Sequence, residues 1–131
     1  MAYGNLLADV VQSSVTGTPP QFNDGAGTQT GTLCRAWVNF NGSGSTSIRG
    51  SFNVSSVTYN STADYTVNFT NAMSSVNYAV TQAVSSSSVA ATYRTTVAEP
   101  RVFNTTSLRL VAVYDSNILL DSYIVCIAIF V

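Results

Sequence analysis

Six carboxylates are the groups in this chain best suited to reactive chemistry: Asp9, Asp24, Asp64, Glu99, Asp115 and Asp121. Two of them facing each other across a glycosidic bond would supply acid and base for hydrolysis. Their spacing does not favour such a pair. They are scattered, and most fall at turns or strand ends, where Asp serves ordinary turn geometry. The chain has no His, so an imidazole base and histidine metal ligation are both excluded. A Ser or Cys nucleophile would therefore lack its usual activator. Asp115-Ser116-Asn117 resembles a piece of a calcium loop, but one acid and one amide are too few ligands, and it reads as a turn. Cys34 and Cys126 each sit in an apolar run without zinc spacing. They read as reduced core residues, with a disulfide between the first and last strands as the alternative. We expect no catalytic residue, no metal and no cofactor, and do not read the chain as an enzyme.

The remaining composition explains why so little chemistry is on offer. The 131 residues carry 5 Lys+Arg, all of them Arg, and 6 Asp+Glu, and charged residues make up 8% of the chain. Ser 18, Thr 16, Asn 11 and Gln 4 together exceed a third of it. A nucleic-acid partner needs a basic surface to displace counterions, and none is encoded. Disorder is not expected, because 46% hydrophobic residues with low charge is the reverse of its signature. Near-zero net charge favours association, so much of the surface is expected to be buried in an assembly. Five N-x-Ser/Thr sequons, at Asn41, Asn53, Asn60, Asn68 and Asn104, follow from the abundance of these residue types. The start of the chain has no basic segment followed by an apolar one, so no secretory leader is expected. The run Ile118–Val131 is too short for a membrane-spanning helix, so no membrane insertion is expected either.

The elements that would position these groups divide in two. Residues 1–32 read as an extended arm, with Pro19-Pro20 and Gly25, Gly27 and Gly31 as punctuation. Leu6, Leu7, Val10, Val11 and Phe22 are its apolar handholds, and we expect it to anchor the protein to a larger structure. Residues 33–131 read as an antiparallel β-sandwich of about eight strands. These are Leu33–Phe40, Ser47–Phe52, Val54–Tyr59, Asp64–Thr70, Tyr78–Val84, Val89–Val97, Ser107–Tyr114 and Ser122–Val131. Glu99-Pro100 is expected to close the sixth. Tyr65, Phe69 and Tyr78 read as core. Leu108–Tyr114 and the final strand carry apolar residues on both faces, so one of those faces calls for cover by another subunit. Trp37, on the face of its strand shared with Arg35 and Asn39, is the interface residue we single out, with Arg35 expected to stack near it. Recognition, if any, is expected in loops. The residues marking them are Asn41 and Ser43, Asn60, Ser87 and Asn117.

Three stretches carry a family resemblance. Cys34-Arg35-Ala36-Trp37-Val38-Asn39-Phe40-Asn41-Gly42 is followed by Ile48-Arg49-Gly50-Ser51-Phe52-Asn53-Val54-Ser55-Ser56-Val57-Thr58. Then come Asp64-Tyr65-Thr66-Val67-Asn68-Phe69-Thr70-Asn71-Ala72-Met73 and Asn77-Tyr78. In order and spacing, residues 34–80 resemble a segment of bacteriophage tail-fibre proteins, and Pro19 to Gln29 resembles what precedes it. Residues 81–131 match only in character. The resemblance implies a virion structural protein, a homotrimer made in the host cytoplasm and carried in a tail fibre, baseplate or adhesion device. Because the β-domain starts so near Met1, a short fibre or accessory is expected rather than a long-reach one. Its partners would be its own copies, a tail, baseplate or capsid protein, and a host-surface glycan or protein. A capsid decoration (head fibre or cement) protein and a carbohydrate-binding module are the alternatives.

Overall fold

A computed structural model describes residues 21–23, 28–30, 33–85, 96–114 and 118–131, with backbone only for 21–23, 28–30, Thr96 and Tyr114. The chain forms two compact units, Met1–Leu33 and Cys34–Val131. The described part of the first is a small antiparallel hairpin, β1 (Gln21–Asn23) against β2 (Thr28–Thr30), with Gln21 opposite Thr30. The rest of the arm expected over 1–32 lies outside the described residues. Leu6, Leu7, Val10, Val11, Ser87 and Asn117 lie outside the described residues, and only the backbone of Phe22 lies within them.

The second unit is all-β, with two antiparallel sheets and no helix among the described residues. One sheet has four strands: β3 (Cys34–Asn41), β4 (Ser47–Phe52), β7 (Ala79–Ser85) and β11 (Ile124–Phe130), in the order β4-β3-β11-β7. The other has five: β5 (Val54–Ser61), β6 (Asp64–Phe69), β8 (Thr96–Phe103), β9 (Ser107–Tyr114) and the short β10 (Ile118–Leu119). Strand β9 is its centre. One edge of β9 pairs with β8, and the other pairs with β6 and then, at Val113 and Tyr114, with β10.

Strict alternation builds the core between the sheets. Ala36, Val38 and Phe40 of β3 and Val125, Ile127 and Ile129 of β11 point inward from one sheet. Tyr65, Val67 and Phe69 of β6 and Leu108, Leu110 and Ala112 of β9 point inward from the other. The Phe40 and Tyr65 rings meet edge-on across the sandwich, 5.2 Å between centroids. Each such fully buried large side chain contributes roughly 1.5–3 kcal/mol through water-exclusion.

One expected boundary is corrected. The sixth strand does not stop at Glu99-Pro100; β8 runs through them to Phe103. Proline lacks an N–H, but β8 is an edge strand, so no ladder bond is lost. The register shifts between Pro100 and Val102, leaving Arg101 as a bulge. The segment 86–95, where the expected strand began, lies outside the described residues.

Candidate interaction surfaces

Strand direction gives the β-domain two unlike ends. At one, β3 begins and β11 finishes side by side, with Phe130 opposite Cys34. At the other lie the β3–β4 turn, the β5–β6 turn and the β10–β11 connection. Ser85 and Thr96, and Tyr114 and Ile118, also reach this second end as strand termini. Asn41, Ser43 and Asn60 are all at this loop end. Asn41 closes a local turn with Ser43, donating Nδ2–H to its carbonyl at 2.9 Å and accepting its N–H at 3.1 Å. Asn60 donates to Asp64 Oδ1 and to Thr66 Oγ1, each at 2.9 Å. Asn60 thereby helps to hold its own turn while remaining exposed.

A polar node fastens the loop end. Asp121 Oδ1 accepts the Ala63 N–H at 2.7 Å and lies 3.2 Å from the Tyr65 hydroxyl, while Oδ2 accepts from Tyr59 at 3.2 Å. The single Tyr65 hydroxyl hydrogen is shared between that carboxylate and the Gly42 carbonyl at 3.1 Å. Its oxygen accepts the Ser122 N–H at 3.3 Å, and the Gly42 N–H reaches Ser122 O at 2.8 Å. Burial, with the Asp121 charge adding, raises the Tyr65 phenol pKa above its ordinary value and keeps it neutral. Gly42 is required here, since a Cβ would fall 2.4 Å from the Tyr65 hydroxyl oxygen. Ala63 takes a left-handed backbone (φ 63) and is held on both sides, its carbonyl accepting the Ala112 N–H at 2.7 Å. Beyond the node, Ile118, Leu119 and Leu120 stand exposed in succession, and Arg49 lies over the exposed Tyr123 ring at 4.7 Å.

The opposite end is fastened by Asn53, where the chain crosses from β4 in one sheet to β5 in the other. Its left-handed backbone (φ 54) makes the corner. Its side chain donates to Arg35 O at 3.0 Å and Asn71 O at 3.1 Å, and accepts the Asn71 N–H at 2.7 Å.

The outer faces of the two sheets also differ. Along β5 and β6 the outer side chains are hydroxyls and amides, with Asn68 Nδ2 donating to Ser56 Oγ and Thr58 Oγ1 at 3.0 Å each. Beside them Arg109 grips Asp64, Nη2 to Oδ2 at 2.6 Å and Nε to Oδ1 at 2.9 Å. These bonds, with a smaller one from Asn60, hold the Asp64 carboxyl below its ordinary range despite its burial. Among the described residues the outer face of the four-stranded sheet carries no carboxylate, and its charges are the two exposed arginines Arg35 and Arg49. Thr81, Ala128, Trp37 and Phe52 form one row across it, and Ala83, Cys126, Asn39 and Gly50 the next. Phe52 is 55% and Trp37 42% exposed. The indole leans over Gly50, leaving a shallow depression of about 430 Å³ lined by Trp37, Thr81, Ala83, Cys126 and Ala128. The small side chains of β11 and β7 are what hollow it out.

The sequence placed Trp37 on this face correctly but missed its neighbour: the cation over an aromatic ring is Arg49 on Tyr123, not Arg35 on Trp37. The cysteines are also moved. Both are free and half-buried rather than core. Cys34 pairs with Phe130, four residues along β11 from Cys126, which separates them by roughly 13 Å. That exceeds what a disulfide spans. Among the described residues no three Asp, Glu or Cys side chains converge as a metal site requires. No family model, curated protein or solved structure matches the chain.

Proposed function

We propose that the chain is a bacteriophage virion structural protein: a short tail fibre or a baseplate or tail appendage that takes part in host attachment. In this reading it is a homotrimer, residues 1–32 anchor it to a tail, baseplate or capsid protein, and the loop end meets a host-surface glycan or protein. The observation that carries the reading is the polarity of the β-domain. The chain enters β3 at one end, and the β3–β4, β5–β6 and β10–β11 connections lie at the other, locked by Asp121 and Tyr65. A tether at one pole and a rigid tip at the other is the layout that attachment needs, and three copies multiply weak tip contacts by avidity. The exposed aromatic side chains Trp37 and Phe52 on this outer face support self-association.

Deleting residues 1–20 tests the anchor. The truncated chain should remain a folded trimer by light scattering and fail to join virions; normal incorporation would sink the anchor role. Counting copies by quantitative mass spectrometry of virions separates the locations. A handful on the tail agrees with the proposal, whereas dozens to hundreds on the head mark a decoration protein.

A further inference from the structure

A β-sheet edge is a row of unpaired N–H and C=O groups, and proteins that must not pair there blunt it with charge, proline, bulges or short strands. The five-stranded sheet does this on both sides. Its edge β5 is bulged at Ser55 and again at Asn60. Its edge β8 contains Pro100, a bulge at Arg101 and the exposed Glu99–Arg101 ion pair at 2.8 Å. The four-stranded sheet does not. Along β7 the register with β11 is unbroken from Ala79 to Ser85, and Ala79–Val84 contains no charge and no proline. Among the described residues no strand pairs with the other edge of β7 over Ala79–Val84. On the far side of the same sheet, β4 has one bulge, at Arg49. That arginine is folded back over its own sheet, Nη1 to Asn39 Oδ1 at 3.3 Å and Nη2 to Tyr123 O at 2.7 Å, which takes its charge off the strand's rim.

Building on the homotrimer reading, we infer that the β7 edge of one copy pairs with the β4 edge of the next, head to tail, closing three four-stranded sheets into one antiparallel ring. The order β4-β3-β11-β7 contains an even number of strands, so β7 and β4 run in opposite directions. Head-to-tail joining about a three-fold axis therefore stays antiparallel at every seam, and a ring has no edge left over. The occupant of the edge is a second copy of this chain, because no charge on Ala79–Val84 opposes its approach. The rows Thr81-Ala128-Trp37-Phe52 also end on the two edges that would meet. The bulge at Arg49 fits a strand that must bend as the ring closes. The outer face, with Trp37 and Phe52 beside Arg35 and Arg49, then lines the axis.

Residue-resolved amide exchange on the full chain, with its mass in solution, tests this. In an uncovered edge strand only every second amide is bonded. A covered one protects Ala79 to Val84 consecutively, with the outward amides slowed on the order of a hundredfold or more. A mass of three chains with continuous protection along both β7 and β4 supports the ring. A three-chain mass with alternating protection on β7 overturns it while leaving the homotrimer standing, since the copies would then meet by their faces. A two-chain mass with β7 protected and β4 not overturns it in favour of two-fold β7 pairing. A single-chain mass removes both the ring and the homotrimer.

Discussion

Asp121→Ala should destabilise the β-domain by about 2–3 kcal/mol. Three donors reach this carboxylate, and they are not equivalent. Tyr59 is 42% exposed, so water replaces the lost acceptor. The Tyr65 hydroxyl keeps the Gly42 carbonyl at 3.1 Å. The Ala63 N–H is the one that suffers. Its residue is fully buried, and its bond, at 2.7 Å, is to a charged acceptor. A buried donor left unpaired costs about 1–3 kcal/mol, and the charge on the acceptor puts this one in the upper half of that range. The left-handed backbone at Ala63 adds strain that only its surroundings hold in place. For a domain of this size each kcal/mol moves the midpoint by roughly 4–8 °C, so thermal unfolding followed by circular dichroism should fall by about 10–20 °C. Asp121→Asn keeps an oxygen toward Ala63 and should lose less than about 1 kcal/mol. A midpoint for Asp121→Ala within about 3 °C of the parent would refute the assignment of the node as the fastening of the loop end.

Four further outcomes can be checked. Gly42→Ala should cost about 1–3 kcal/mol in urea denaturation, because its methyl displaces the buried Tyr65 ring. Asn53→Ala, which loses three hydrogen bonds and keeps a strained corner, should cost about 2–4 kcal/mol, and Asn53→Gly measurably less, since glycine takes that backbone freely. Arg109 lowers the Asp64 pKa below 3.8, so the pair's contribution is present above that value and lost as pH falls through the folded one; Arg109→Met should flatten the acid arm of the stability–pH curve below about pH 5. Finally, the chain denatured without reductant should show both thiols, Cys34 and Cys126, by Ellman titration, whereas a disulfide would show neither.

What was legible in the sequence followed from period. Tyr65, Val67 and Phe69 alternate with Thr66, Asn68 and Thr70, and the structure buries the first set and leaves the second outward or at the rim. Strands β3 and β9 could be read the same way. Pro100 misled because proline reads as a terminator, and only the sheet order reveals that its strand lies at an edge. The loop-end node was illegible for a different reason. Asp121 looks like one more turn aspartate, and what makes it structural are Ala63, Tyr65 and Tyr59, 56 to 62 positions away. A one-dimensional pattern carries no signal for such a meeting. The only hints were Gly42, a glycine inside an Asn-Gly turn, and the unusual placement of Ala63 after Asn60-Ser61-Thr62.

The position of β3 has a mechanical consequence. Tension entering at Cys34 pulls on a strand flanked on both sides, by β4 and by β11. The load runs along the strand axis, so the β3–β4 and β3–β11 ladders resist in shear, with their bonds sharing the force. They are not peeled open one at a time, as an edge strand would be. At the far tip of that strand the Gly42 N–H is tied to Ser122, just ahead of β11, so the same pull is passed back down the neighbouring strand. The domain thus resists most strongly along the line from Cys34 to the β3–β4 turn, and Phe130, opposite Cys34, is the first pairing to feel such a load.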